Sequence, residues 1–591
     1  MRGTSMGHAG ERPRGSRGAR HPVTVMTEVI TDVLAGLGYR AVAGPEVETE
    51  WFSFDALNMD ERHAARAPDR TFHVADPAAP GRRSGLVLRA CTAPAQVRAM
   101  LGGAPPLRVV CTGRVFRPGP ADATHSPVFN QVGGLAVDEG LTMADLTRTL
   151  DLFAAAVFGE GTPTRLRPHR SARTDPSAGV DVACVVCGVS GRTAGDATGN
   201  GTPDDARGTL PANPRESAPG SRRKGIPGSL PANPTEGAPG GAPVTPCGTC
   251  GGGGWIGWGG CGMVHPQVLA ACGIDPHRYG AFTFGMGVER TLMLRHGLKD
   301  MRDVVGGDIR FALALDEFPP RSVRSPARAA VTAVGGRDDV SALLRQAVPN
   351  ARAVPEAETI PGPRTFPEAD RPRSLRTRVG HALAEAGYVE TPGPPFVGDA
   401  AWDALGLPPG DPRRTALRLV NPLDPRQPAL RTTLLPALLS ALALNLRRGS
   451  RDPALFEQGT VFLPLPGAGA PPSPPAGRRP TDDQLDALEA ALPAQPHHLA
   501  VVLTGESAWA DAADAARTAA HVMGAHLTAR PAEYVPWLPG RCVELLIGET
   551  VLGHAGELHP NAARTLGLPA ETGTMEIDLT VMERLTGREP L

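Results

Sequence analysis

The stretch Arg108–Val137, RVVCTGRVFRPGPADATHSPVFNQVGGLAV, decides how this chain is read. It predicts a strand over Val109–Arg117, a Pro/Gly-rich loop over Pro118–Pro127 and a returning strand over Val128–Val137. The product is an antiparallel hairpin with a long tip. Arg114 and Arg117 fall at the end of the first strand, His125 in the loop and Gln131 on the return. A second stretch, Gly280–Leu294, GAFTFGMGVERTLML, predicts a strand, a glycine turn and a helix with Arg290 in its first turn. A guanidinium beside the unpaired N–H groups of a helix start suits a polyphosphate. For any single arginine, half of a surface salt bridge is usually the better reading. Two, in these two settings, favour an anion site.

The 591 residues around these stretches leave room for two or more cores. Lys+Arg 60 against Asp+Glu 61 gives a net charge of -1, so no overall basic balance announces nucleic acid. Lysine occurs only at Lys224 and Lys299, which points to coding bias before function. The N-terminus through Arg20 is arginine-rich without an apolar core, unlike a signal peptide. The longest apolar run, near Leu434–Leu444, is too short to cross a bilayer, so no membrane partner is expected. Nine cysteines, four of them in CxxC pairs, fit a reducing cytoplasm.

In chain order, residues 1–22 read as a disordered arm. Val23–Leu37 follows as an amphipathic helix, with Val23, Met26, Val29, Ile30, Val33 and Leu37 on one stripe. Met143–Phe158 is a helix and Thr164–Arg167 opens a strand. Residues 188–246 are rich in Gly, Pro, Ser and Asn and contain an internal copy, GTLPANPRESAPG and GSLPANPTEGAPG, so a disordered insertion is expected there. Cys184 and Cys187 precede it, Cys247 and Cys250 follow. C-x2-C…C-x2-C is the spacing of a closed, structural four-thiolate zinc site, with four merely packed thiols as the alternative. Residues 319–373 read as a Pro/Arg-rich linker with a short helix at Val340–Gln346. Beyond it, Leu375, Val379 and Leu383 line a helix ending at Gly387-Tyr388. That repeats the helix–Gly–Tyr–strand order of the N-terminal region and suggests two related halves.

The segments GRVFR (Gly113–Arg117), THSPVFNQV (Thr124–Val132) and FGMGVER (Phe284–Arg290) resemble motifs 2 and 3 of class II aminoacyl-tRNA synthetases, in the form found in the phenylalanyl-tRNA synthetase alpha subunit. GPEVE (Gly44–Glu48), FDALN (Phe54–Asn58), GMVHPQVL (Gly262–Leu269), GIDP (Gly273–Pro276) and DIRF (Asp308–Phe311) extend the resemblance over roughly 23–318, minus the insertion. VNPLDPRQPALRTTLLPALL (Val420–Leu439), NLRRG (Asn445–Gly449), LFEQG (Leu455–Gly459) and GHAGELHP (Gly553–Pro560) resemble the catalytic-like core of the beta subunit. The resemblance implies an α+β fold, the class II antiparallel sheet flanked by helices, present twice in one chain. An alpha-like catalytic core is expected over 23–187 and 247–318, and a beta-like pseudo-catalytic domain over 374–591.

It also implies activation of an amino acid with ATP and Mg2+. By resemblance, Arg117 grips the α-phosphate and carboxylate, His125 and Arg290 the outer phosphates, and Phe129 belongs to the ATP site. Gln131 meets the substrate amino group, Phe282 and Phe284 lie on the strand that floors the pocket, and Asp175 shares a magnesium ion. Cys184, Cys187, Cys247 and Cys250 are the zinc candidates.

The amino-acid pocket departs from the family. LRTHTSP becomes LRACTAP, placing Cys91 and Ala93 where His and Ser are usual. QVEG becomes QVGG, so a Glu that binds the amino group is Gly133. YFPFTEP becomes RSARTDP, so two Phe walls are Ser171 and Arg173. The small Ala of GFAFG is Thr283. Two lost aromatic walls forfeit packing worth on the order of a few kcal/mol. The expectation is a polar or acidic substrate whose charge meets Arg173; the alternative has Arg173 turned to solvent over a degenerate pocket. Nothing in the chain resembles the family's dedicated tRNA-binding modules, so the acceptor is left open between tRNA and a non-tRNA amine or carrier. A non-catalytic binding or regulatory paralogue is the other reading. A homodimer of fused alpha–beta chains, in the cytoplasm, completes the expectation.

Overall fold

His21 accepts the Val23 N–H on its Nδ1 and Pro22 presets φ, so helix α1 (Pro22–Gly36) begins there. Its buried stripe is Val23, Met26, Ile30 and Leu34. The 3.6-residue repeat brings Leu34 inward and leaves Val29, Val33 and Leu37 half-buried. The structure, a computed structural model, describes residues 18–187, 192–193, 245–247, 250–316, 374–467 and 469–587.

After α1 come β1 (Arg40–Val42), β2 (Val47–Thr49), β3 (His73–Asp76) and β4 (Ala79–Leu88), then helix α2 (Ala93–Leu101). The hairpin follows as β5 (Leu107–Phe116) and β6 (Val128–Asp138), close to the bounds expected from sequence. Helix α3 (Met143–Phe158) is closed by a reciprocal capping box between Thr142 and Asp145. β7 (Thr164–Ser171) and β8 (Thr174–Ala183) lead to a short ribbon, β9 (Arg192–Thr193) with β10 (Thr245–Pro246). β11 (Trp255–Val264), β12 (Gly280–Gly287) and helix α4 (Val288–His296) end the site-bearing part.

The second half contains α5 (Leu375–Glu385), β13 (Val389–Glu390), β14 (Phe396–Val397), β15 (Ala429–Leu430) and α6 (Leu435–Arg447). β16 (Ala454–Thr460), β17 (His497–Thr504) and α7 (Ala508–Met523) come next. β18 (Thr528–Pro531), β19 (Trp537–Ile547), β20 (Thr550–Leu558), β21 (Thr572–Asp578) and α8 (Leu579–Leu585) finish it. No helix among the described residues is long and apolar enough to cross a membrane.

Two seven-stranded sheets result, ordered β1-β5-β6-β12-β11-β8-β7 and β13-β16-β17-β21-β20-β19-β18. In each, a short edge strand pairs in parallel with the next and the following pairs are antiparallel. The halves also agree residue by residue. Gly113 opens GRVFR on β5 and Gly459 opens GTVFL on β16. A Cβ on Gly113 would strike the guanidinium of buried Arg89, and a Cβ on Gly459 that of buried Arg431. The register carries the match further, since Gly113 faces Gln131 and Gly459 faces His498. By that register Leu463 stands for Arg117, Glu576 for Gly285 and Val581 for Arg290. Glu576 fills its place, accepting from Thr433 Oγ1, from Leu434 N–H (3.1 Å) and bonding His498 Nδ1 (2.7 Å). The second half thus keeps the sheet and lacks arginines at the positions of Arg117 and Arg290.

The halves are locked together. Val47, Phe72, Leu88 and Phe116 share one core with Leu430 and Phe462. Each such side chain contributes about 1.5–3 kcal/mol by leaving water. The expected arm needs correcting at its end: Ala19 bridges Val389 in parallel and Arg20 Nε donates to Glu390 Oε2 at 2.7 Å. A buried arginine needs such partners; of the two carboxylates it finds, Glu28 is on α1 and Glu390 lies in the other half. Residues 1–17 lie outside the described residues. So do the expected linker over 319–373, with its helix at Val340–Gln346, and the insertion over 188–246 apart from β9 and β10.

Candidate active site

Side-chain alternation sorts the residues of β5, β6 and β12 onto two faces. Val110, Val132, Phe282, Phe284 and Met286 share the core under α1 and α3. Gln131, Gly133 and Thr283 have the other parity and face α2. Thr283 Oγ1 donates to Gln96 Oε1 at 3.0 Å, and the Thr92 N–H donates to Gln131 Oε1 at 2.9 Å. Phe282 and Phe284 were expected at the substrate pocket; the structure corrects this. Both are buried on the opposite face, where Phe284 meets Tyr39 and Phe153 with ring centroids 6.1 Å apart in each case.

Arg117 ends the motif 2-like strand. Its Nε donates to Ala90 O at 3.0 Å and its Cζ stands 5.2 Å from the Phe129 ring centroid. Arg173, at the β7–β8 turn, is half-buried and donates from Nη1 to Cys91 Sγ at 3.3 Å. It therefore faces the site. Arg117 is exposed by surface area, yet the crowding around its guanidinium lowers it below its ordinary value; Cys91 opposes this and the Arg173 charge adds to it. Arg290, in the first turn of α4, reaches Thr124 O from Nη2 at 3.4 Å. Burial lowers its guanidinium too, and Asp122 partly offsets this. None of the three arginines forms a salt bridge among the described residues, so the surface ion-pair alternative does not describe them.

His125 sits at the exposed loop tip, held by Asp122. The Asp122 carboxylate accepts the Thr124 N–H (2.7 Å) and the His125 N–H (2.8 Å) and lies 3.1 Å from His125 Nδ1. The Thr124 N–H above all holds this carboxyl down at about 2. Behind Arg290, buried Glu289 accepts the Asn130 N–H at 2.8 Å and its Nδ2–H at 2.8 Å, pinning α4 to β6. Burial pushes Glu289 up to about 7. Sequence reasoning passed over Asp122, Glu289, Thr92 and Gln96. The first was signalled by Asp-x-Thr-His, an Asx-turn pattern, and the second by an acid in the first turn of a helix.

Other expected residues fall elsewhere. Ala93 is buried at the start of α2. A Cβ on Gly133 would overlap Thr92 Oγ1 and come within 3.1 Å of Gln96 Nε2, so the place of the usual Glu is filled. Ser171 and Asp175 line an open cleft of about 730 Å³ with Asn58, His63, His169 and His265, a lining that includes neither Arg173 nor Cys91. No described hydrogen bond joins Asp175 to Arg117, His125 or Arg290.

The sulfurs of Cys184, Cys187, Cys247 and Cys250 all lie within 4.8 Å of one another, with Cys184–Cys247 at 3.8 Å and Cys187–Cys250 at 3.5 Å. A tetrahedral ion with bonds of about 2.3 Å places thiolates about 3.8 Å apart, so the donor set fits zinc. Burial, then the neighbouring sulfurs, pushes the Cys187 thiol up, a crowding that a bound divalent cation reverses.

A seven-stranded, largely antiparallel sheet whose long hairpin and strand–helix turn each present an arginine defines the class II tRNA synthetase core. The family model described as "tRNA synthetases class II core domain (F)" matches residues 9–315, and "Phenylalanyl tRNA synthetase beta chain CLM domain" matches 357–579. The phenylalanine–tRNA ligase alpha subunit of Streptomyces avermitilis is 45% identical over 295 residues, 50% of this chain and 69% of that protein. That of Thermobifida fusca is 44% identical over 298 residues, 50% of this chain and 67% of that protein. The chain belongs to the phenylalanyl-tRNA synthetase family and carries an alpha-like and a beta-like core in one polypeptide.

Proposed function

We propose that the chain is an ATP-dependent ligase that activates an amino acid other than phenylalanine as its adenylate. It then passes the acyl group to tRNA or to a non-tRNA amine. The substrate carboxylate attacks the α-phosphorus and pyrophosphate leaves. The rate comes from positioning and charge stabilisation, with no protein nucleophile needed for this step. Arg117 takes the α-phosphate, His125 and Arg290 the outer phosphates, and Gln131 the substrate amino end. Magnesium, when bound, neutralises phosphate charge, and Asp175 is the carboxylate proposed to hold it. Zinc in the four-thiol cluster has a structural role. The active unit is a homodimer of fused chains.

One observation carries the altered specificity. Arg173 stands against Cys91 where the family has an aromatic wall, and no carboxylate among the described residues pairs with it. An acidic side chain would supply the missing charge, whereas a phenyl ring would cover a half-buried cation and leave it unpaired. Gln96 and Thr283 line the same side with hydrogen-bonding groups.

The test is ATP–pyrophosphate exchange across phenylalanine, tyrosine, acidic and small polar amino acids. Exchange with an acidic or polar amino acid is expected, abolished by Arg117→Ala and shifted toward phenylalanine by Arg173→Phe. Exchange with phenylalanine alone overturns the specificity reading. Silence across the panel, from folded protein that binds ATP, overturns the catalytic one.

A further inference from the structure

Cys91 differs from the other eight cysteines. Cys111, Cys261, Cys272 and Cys542 are buried, and Cys184, Cys187, Cys247 and Cys250 form the thiol cluster. Cys91 alone is a half-buried free thiol outside it. The loop it occupies is tied to the site on both sides. Ala90 O accepts from Arg117 Nε at 3.0 Å, and Thr92 N–H donates to Gln131 Oε1 at 2.9 Å. Cys91 is thus the residue between the backbone contact of the side chain assigned to the α-phosphate and that of the side chain assigned to the substrate amino end. Midway between those two ends of an aminoacyl-adenylate, flanked by the α-carbon and the bridging oxygen, is the electrophilic carbonyl carbon. Arg173 Nη1 donates to the same sulfur at 3.3 Å, and the Arg117 charge acts on it as well. A cysteine flanked by two guanidinium groups at the mouth of a site has the surroundings in which nucleophilic cysteines are found.

We propose that Cys91 takes the acyl group from the adenylate as a thioester, making the protein an acyl carrier between activation and transfer. This rests on the adenylation reading above. Sγ attacks the carbonyl carbon and a C–S bond forms. The bond from that carbon to the phosphate oxygen breaks, and AMP departs with the bonding pair. The thiol proton goes to solvent, and no oxidant or reductant takes part. Arg117 stabilises the departing phosphate. The product, an aminoacyl thioester, is the kind of acyl donor that a primary amine consumes by aminolysis.

The experiment incubates the full chain with ATP, Mg2+ and radiolabelled L-glutamate, L-aspartate or L-phenylalanine, with pyrophosphate exchange run in parallel. Acid-stable label approaching one acyl group per chain is expected. It should require ATP, be released by neutral hydroxylamine or excess thiol, and map by peptide mass to Cys91. Cys91→Ala should abolish it; mapping on the unaltered protein gives the answer even where that variant fails to fold. Exchange without acid-stable label, or label at another residue, overturns the carrier step and leaves adenylation standing. Absence of both exchange and label overturns the two together.

Discussion

Glu46 holds Arg114 through both carboxylate oxygens, Nε to Oε1 and Nη2 to Oε2, each at 3.0 Å. Its Oε1 also accepts from Thr460 Oγ1 at 3.3 Å, and its backbone N–H donates to Gln495 Oε1 at 2.8 Å. The hairpin that carries Arg117 is therefore braced from the second half. Glu46→Ala touches no substrate, yet exchange should fall about 10- to 100-fold because the arginine loses its placement. Measuring exchange alongside thermal melting checks this; unchanged exchange would show the brace to be idle.

Phe284→Ala separates the two faces of the sheet. Its ring lies in the core beneath α1 and α3, so the variant should lose about 3–5 kcal/mol of stability. The Michaelis constant for the amino acid should stay near its original value. Denaturant melts and exchange kinetics on the surviving folded fraction measure both. A large rise in that constant with little lost stability would return Phe284 to the pocket.

Glu289 makes stability depend on pH. Its native value is raised to about 7 from 4.5, so the native state holds the proton more tightly than the unfolded chain. Its favourable contribution is complete below about pH 4.5 and is lost as the pH rises through about 7. Glu289→Gln removes the titration. Relative to the original protein, the variant should therefore gain melting temperature between pH 5 and pH 8. Parallel melting curves across that range would refute the assignment.

The four-thiol cluster should copurify with one zinc ion per chain, read by elemental analysis. Cys247→Ser should lower both zinc content and melting temperature, because metal-binding free energy is spent on folding. Full stability after chelation, with zinc gone, would show that four packed thiols suffice.

Restoring the family's glutamate by Gly133→Glu should not restore phenylalanine activation. Thr92 Oγ1 and Gln96 Nε2 occupy the space its side chain needs, so overpacking of about 1–3 kcal/mol is expected. Exchange with phenylalanine, measured with and without a companion Thr92→Gly change, distinguishes missing chemistry from missing room.

Local signals carried most of the fold. The helix Met143–Phe158 and the hairpin were legible because capping, period and turn chemistry agree over short distances. The facing of β12 was legible too, had parity been applied: Thr283 and its neighbours Phe282 and Phe284 cannot share one side of a strand. What no window could reveal were pairs formed across the fold. Arg20 meets Glu390, 370 positions away, and Gln495 caps the backbone of Glu46 and Val47. Arg173 is the instructive case for the site. Its sequence context showed that an aromatic wall was gone, but only the chain path around Cys91 determines that the guanidinium turns inward.

Cys187 and Cys250 are 63 positions apart in the chain, yet their sulfurs stand 3.5 Å from each other. The two ends of the span between them are therefore held side by side at the thiol cluster. The entropy of closing such a span grows only with the logarithm of its length. The chain therefore has a mounting point. A shortened span, or a reporter domain spliced into it, should leave the parent melting curve and exchange rate in place, which makes this the natural site at which to tether the protein to a surface or follow it in a cell.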